Sequence, residues 1–137
     1  MKVVLDTNVL VSGLLNPFNP PGEIVRMTSA GMLQLCYDAR ILSEYKEVLH
    51  RPKFELSSGH IHALMDQIKA CGHSITAEPL EKALPDPDDE PFLEVAIAGK
   101  AVCLITGNIK HYPSPERQQA RVLVPADFLT FYRSNKK

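Results

Sequence analysis

The sequence has no excess charge of either sign, no cysteine framework and no long apolar run, and each absence removes a class of protein. Fifteen Lys and Arg stand against sixteen Asp and Glu, so no global positive field draws the chain onto polyanions, and nucleic-acid contact has to use local patches. The three cysteines, Cys36, Cys71 and Cys103, are odd in number, share no short spacing and sit among apolar neighbours. That predicts buried thiols in a reducing compartment rather than disulfides. No apolar stretch approaches the ~18 residues of a membrane span. The first residues enter a core-like segment without a basic leader or an apolar stretch, so an unexported, cytoplasmic protein with no membrane partner is expected. Repeats and low-complexity segments are also missing.

What is present suits one core. A length of 137 residues with 45% apolar content predicts a single domain over residues 1–137. Lys2 to Leu5 is a short β-branched run ending at Asp6, Thr7 and Asn8, the pattern of a strand buried on both faces. Further strands are predicted at Leu33 to Tyr37, Val102 to Thr106 and Arg121 to Val124, with a short one near Ile75. Pro17, Pro20, Pro21 and Gly22 mark a loop, and helices are predicted over Glu23 to Ala30, Ala39 to His50, Ser58 to Ala70, Asp88 to Ala98 and Pro125 to Arg133. Gly31 and Gly99 stop two of them. Strands alternating with helices imply an α/β three-layer sandwich whose mainly parallel sheet has about four to five strands.

Three separated acidic positions fall where such a fold gathers them: Asp6, Glu44, and the cluster Asp86, Asp88 and Asp89. Asp6 follows the first strand, at the carboxyl end where open α/β sheets build their crevices. On a helical wheel of Ala39 to His50, Ile41, Leu42, Tyr45, Val48 and Leu49 form one stripe with Glu44 at its edge, while Glu47 falls on the far side. The same construction on Asp88 to Ala98 aligns Asp89 with Phe92, Leu93 and Ala96 and turns Glu90 and Glu94 outward. Inward carboxylates repel one another and lose hydration, so they persist where a cation compensates them. Oxygen donors without His or Cys favour Mg²⁺ or Mn²⁺ over Zn²⁺. Taken singly, Asp88 and Asp89 also read as helix caps, and Thr7 and Asn8 as ordinary turn residues.

Four blocks of the chain resemble the PIN-domain family, in its group of predicted toxin components of toxin-antitoxin pairs. Val3-Val4-Leu5-Asp6-Thr7-Asn8-Val9-Leu10 looks like the opening strand and first metal-binding aspartate. Ser43-Glu44-Tyr45 with Val48-Leu49 and Arg51-Pro52-Lys53-Phe54 looks like the second acidic segment and its basic turn. Asp86-Pro87-Asp88-Asp89 with Phe92-Leu93 and Ala96 resembles the third, and Ile105-Thr106-Gly107-Asn108 the fourth. The resemblance implies a metal-dependent endoribonuclease that hydrolyses RNA phosphodiesters with Mg²⁺ or Mn²⁺, a cognate antitoxin and a homodimer. It assigns catalysis and metal binding to Asp6, Glu44 and Asp89, with Asp88, Asp86 and Asn108 as further metal-site positions. Thr7, Asn8 and Thr106 would support these ligands from behind, and Arg51, Lys53, Lys110 and His111 would contact RNA. Asn108 departs from the family, which often has aspartate there, and an amide brings no charge to a second metal.

Two other readings bear comparison. A strand ending in Asp6-Thr7-Asn8-Val9 also loosely resembles the aspartyl-phosphate motif of haloacid-dehalogenase-like phosphatases, which need a second acid where Asn8 stands. A non-catalytic PIN-fold module that binds RNA or a partner through a weakened site is the other, supported by Asn108 alone. Glu44 and Glu47 test the wheel directly. Glu44→Gln should weaken metal binding and cleavage, whereas Glu47→Gln should change stability by no more than roughly 0.5 kcal/mol, as surface substitutions usually do. A Mn²⁺ titration by calorimetry reads the difference, and equal losses would mean the helix is rotated.

Overall fold

A computed structural model describes residues 1–118 and 120–135; residues 119, 136 and 137, within the domain span expected above, lie outside the described residues. Five strands form one sheet: β1 (Lys2–Leu5), β2 (Gln34–Tyr37), β3 (His73–Ser74), β4 (Cys103–Ile105) and β5 (Val122–Leu123), in the order β3-β2-β1-β4-β5. Every pairing is parallel, so each return needs a crossover, and the helices that supply it make the three-layer α/β arrangement. The central strand explains its own composition. Val3, Val4 and Leu5 of β1 are fully buried, as are Leu104 and Ile105 of β4, because helices cover both faces of such a sheet.

The helices are α1 (Thr7–Leu15), α2 (Pro20–Ser29), α3 (Ala39–Leu49), α4 (Ser58–Cys71), α5 (Glu90–Ala98) and α6 (Pro125–Asn135). Three differ from the sequence expectation. α1 was not anticipated, because Thr7 and Asn8 read as turn residues; in the fold Asp6 is its extended N-cap and the helix begins at once. α2 starts three residues earlier than Glu23, since Pro20 and Pro21 occupy its first turn, where a missing N–H costs nothing. The Asn19 side chain caps it by accepting from the Gly22 N–H at 2.8 Å. The Asp88 to Ala98 helix divides into a 3₁₀ turn over Pro87–Asp89 and α5. Gly31 ends α2 at φ 79°, but after α5 the left-handed residue is Lys100 rather than Gly99.

The strand order places the site. The chain steps outward from β1 through β2 to β3, then crosses back to lay β4 on the other side of β1. The reversal opens a crevice outside the carboxyl ends of β1 and β4, the position where open α/β sheets bind ligands. Asp6 and Thr106 are the next residues after those two strands, and the backbone ladder continues into both, through Asp6 N–H to Ile105 O at 2.9 Å and Thr106 N–H to Leu123 O at 3.0 Å. Tyr45 of α3, fully buried, pins this end by donating its hydroxyl to Leu5 O at 2.5 Å.

Cys36 and Cys103 are buried free thiols, as expected, while Cys71 is only half-buried at the end of α4. Gly13 lets α1 and α2 approach closely: a Cβ there would meet the Pro21 carbonyl oxygen at 2.6 Å. Gly13→Ala improves helix propensity by up to about 1 kcal/mol, yet it should destabilise the protein by roughly 1–3 kcal/mol through overpacking against backbone. Urea unfolding measures the balance, and a stabilised variant would show that the two helices separate freely.

Candidate functional site

Asp6 is 5% exposed, and both donors to its carboxylate come from one segment. Its Oδ2 accepts the Thr106 hydroxyl at 2.9 Å and the Tyr112 hydroxyl at 3.0 Å. Burial raises the Asp6 pKa, and these two hydrogen bonds oppose the rise. Tyr112 is fully buried, and desolvation together with the Asp6 charge holds its phenol protonated, far above the ordinary range. It therefore keeps its proton to donate, and Asp6 is its acceptor.

Glu44 stands half-buried on α3 and accepts a hydrogen bond from the Thr7 hydroxyl. Its pKa is raised by burial, against the Thr7 bond, with the charges of Asp6, Asp88 and Glu47 adding to the rise. Glu47 faces water and pairs with Arg51 at 3.0 Å, so the wheel separates the two glutamates correctly. Asp89 is 9% exposed, at the start of α5 beside buried Phe92, Leu93 and Ala96. Its pKa is pushed up to about 6, first by desolvation and then by the Asp6 charge, while His111 opposes the shift and Asp86 adds to it.

Asp6, Glu44 and Asp89 thus share one field despite lying far apart in sequence. Asp86 and Asp88 are exposed, and Asp86 Oδ1 accepts the Asp88 N–H at 2.9 Å, so the cap is Asp86 rather than the Asp88 or Asp89 expected from the sequence, and Asp89 at the N-cap of α5 makes no side-chain cap bond. Asn108 is exposed, and its backbone N–H donates to the Thr106 hydroxyl at 3.0 Å. Asn8 ties the first turn of α1 to the loop after β4 by accepting the Gly107 N–H at 3.0 Å.

Among the four basic residues, Arg51 is paired with Glu47, Lys53 lies over the Phe54 ring at 5.1 Å and Lys110 is exposed. His111 sits instead against the acids, with Nδ1 3.0 Å from Asp89 Oδ2. That contact is close but poorly directed, and Asp89 Oδ2 is left buried without a hydrogen-bond donor.

Two features were not legible in the sequence. Tyr112 was passed over because an aromatic before Pro113 looks like ordinary core; the available signal was a phenol six residues beyond Thr106, which has to find an acceptor once buried. Glu94, assigned to the outward face, is in fact 8% exposed and bonded to Arg40 at 2.8 Å. Arg40 also holds Asp38, the N-cap of α3, at 2.7 Å. The wheel failed here because α5 meets Arg40 from α3 as well as the sheet. Glu90 likewise turns to protein, accepting the Leu84 N–H at 3.0 Å. The Arg40 bridge fixes the helix bearing Glu44 against the helix that follows Asp89.

Whether a divalent cation suits these residues can be judged from the donors. All are hard oxygens, their burial and mutual repulsion disfavour the charged forms, and one buried oxygen of Asp89 has no donor. Among the described residues, no three His, Cys, Asp or Glu side chains are gathered tightly enough to enclose an ion by themselves. The set fits Mg²⁺ or Mn²⁺, which keep several waters and take few carboxylates, and it does not fit a closed protein cage.

A parallel α/β sheet with buried acids at its switch point is the framework of a nuclease-type fold. The chain belongs to the PIN domain family, whose sequence pattern matches residues 2–110. It is also similar to an uncharacterized protein of Methanocaldococcus jannaschii, 31% identical over 111 residues, which cover 79% of this chain and 71% of the relative. PIN domains are generally divalent-metal-dependent nucleases. No described helix is long and apolar enough to cross a membrane.

The raised carboxyl pKa values set a pH dependence for the metal-free protein. A carboxyl whose folded pKa lies above its unfolded value contributes stability below the unfolded pKa and loses it as pH rises through the folded one. At about 1.4 kcal/mol per pH unit, the interval from 3.8 to about 6 for Asp89 limits its contribution to roughly 3 kcal/mol. In chelator, stability should fall between about pH 4 and pH 6, with Asp6 and Glu44 acting in the same direction. Asp89→Asn should flatten that fall. Thermal melts across this range would contradict the assignment if the variant kept the full slope.

Proposed function

We propose that the protein is a Mg²⁺- or Mn²⁺-dependent endoribonuclease and the toxin of a toxin-antitoxin pair. The observation that carries the reading is the gathering of Asp6, Glu44 and Asp89, from three separated segments, into one buried acidic field at the switch point with no Lys or Arg paired to any of them among the described residues. A divalent ion bound there would lower the pKa of a water and polarise a phosphoryl oxygen.

Each residue has a part in that reaction. Asp6, Glu44 and Asp89 hold the ion. Thr106 and Tyr112 fix the Asp6 carboxylate, and Thr7 fixes that of Glu44, so the acids meet the ion already oriented. Asn8 holds the start of α1 to the loop after β4. Arg51, Lys53 and Lys110 offer positive charge to substrate phosphates, and Asn108 offers an amide where a fourth acid would add charge. Asp88 and Asp86 lie at the rim and bias the site toward cations. A cytoplasmic setting, a cognate antitoxin and a homodimer, whose paired crevices would lengthen the RNA surface of a near-neutral chain, belong to the same proposal.

The phosphatase alternative loses ground because Asn8 stands where its second acid is needed, with its amide oxygen engaged by Gly107 N–H. The non-catalytic module keeps one observation in its favour, the neutral Asn108. Single-turnover cleavage of a fluorogenic single-stranded RNA in Mn²⁺ separates it from the nuclease. Asp6→Asn and Asp89→Asn should each lose more than the roughly 10–100-fold that removing an outer support costs, and Tyr112→Phe should fall within that range. Activity surviving in excess chelator, or in both folded aspartate variants, would overturn the proposal.

A further inference from the structure

Beside the carboxylates lies a second feature that the metal site does not use. A cavity of about 410 Å³ is lined by Thr7, Asn8, Val11 and Leu15 of α1, Val48 of α3, and Phe54 of the 3₁₀ turn after α3, with Ser12 between them. It begins at the acids, since Thr7 is bonded to Glu44 and Val48 follows Glu44 by one helical turn. From Thr7 to Leu15 it runs along α1 for roughly 12 Å at the helical rise. The end nearest Glu44 is polar, with the hydroxyl of Thr7 and the amide of Asn8, and Ser12 adds a hydroxyl further along α1. The Phe54 ring in its lining has the Lys53 ammonium over it at 5.1 Å, and Leu15, at the far end along α1, is 53% exposed.

We propose that this groove is a subsite for an unpaired base of single-stranded RNA next to the phosphate held at the carboxylates, a proposal that rests on the nuclease reading. A mainly apolar groove with one aromatic ring in its lining and one cation beside that ring takes the face of a base, while the ammonium meets its phosphate. The polar residues at the catalytic end suit the base edge and sugar. Size favours this occupant: 410 Å³ falls in the range of small-molecule sites, whereas a stable protein partner covers on the order of 800 Å² per side. A neutral chain also needs such a local device to hold RNA. A duplex cannot enter, because its bases are stacked on one another.

The test uses full-length protein in excess chelator, with anisotropy of a fluorescein-labelled oligouridine eight nucleotides long. Phe54→Ala and Leu15→Gln should each weaken binding several-fold to tenfold, the scale of one lost stacking or apolar contact. Phe54→Tyr should restore it, and Met32→Gln, exposed on another face, should bind as the parent does. A duplex of the same length should compete poorly. Unchanged binding in both folded groove variants would overturn the subsite. So would loss of a dimer in sedimentation with RNA affinity intact, which would give the groove to a second copy. Hydrolysis of bis(p-nitrophenyl) phosphate by the parent protein in Mn²⁺ reads the carboxylates separately, so failure of the nuclease reading is distinguishable from failure of the groove.

Discussion

The structure is organised around the cost of keeping like charges together out of water. Asp6 and Asp89 are nearly inaccessible, Glu44 is half-buried, and the charge of Asp6 raises the pKa of both others. Such an arrangement is unfavourable for the metal-free fold, and the surroundings limit the penalty rather than abolish it. Hydrogen bonds from Thr106, Tyr112 and Thr7 partly stabilise the charged forms. The remaining deficit is electrostatic and is what a divalent cation bound there would remove. A site of this kind is most stable when occupied, which links binding to folding.

The loop after β4 does most of the local work. Between Thr106 and Tyr112 the chain supplies both donors to Asp6, the imidazole against Asp89 and, through Gly107, the tie to Asn8. Its short 3₁₀ turn over Ile109–His111 carries Tyr112 back beneath the crevice. Opposite this loop, Arg40 joins the start of α3 to α5, and the Tyr45 and Phe92 rings pack between the same two helices at 6.3 Å. The acids are therefore held from the loop side and from the helix side by different kinds of contact, polar in one and mixed ionic and apolar in the other.

The sheet and most helices could be read from the sequence because their signals are local and repeated: apolar runs for strands buried on both faces, helical periods for α3 and α5. Asp6, Glu44 and Asp89 were legible for the same reason, each being fixed by its position on an element. The failures have a common cause in tertiary context. Thr7 and Asn8 favour turns in isolation, yet the chain must turn straight into α1 once β1 is central. Glu94 looks solvent-facing on a wheel that knows one neighbour, and Arg40 arrives from another helix. Tyr112 acquires its role only when folding brings residues 106 positions apart within 3.0 Å. His111, a basic residue by composition, became an acid's neighbour for the same reason.

The most direct test of the central claim is the melting temperature of the protein at pH 7 and at pH 4, each with and without Mn²⁺. At pH 7, above the pKa of about 6 to which Asp89 is pushed, a cation should relieve the repulsion among the carboxylates. Mn²⁺ at about a hundred times its dissociation constant supplies roughly 2.7 kcal/mol, which for a chain of this size corresponds to a rise of several degrees. At pH 4, well below the pKa of about 6 for Asp89 and with the raised pKa values of Asp6 and Glu44 acting in the same direction, the rise should shrink, and it should be absent at pH 7 in the Asp6→Asn, Asp89→Asn double variant. Equal melting with and without Mn²⁺ at pH 7, or the same rise in the double variant, would contradict the account.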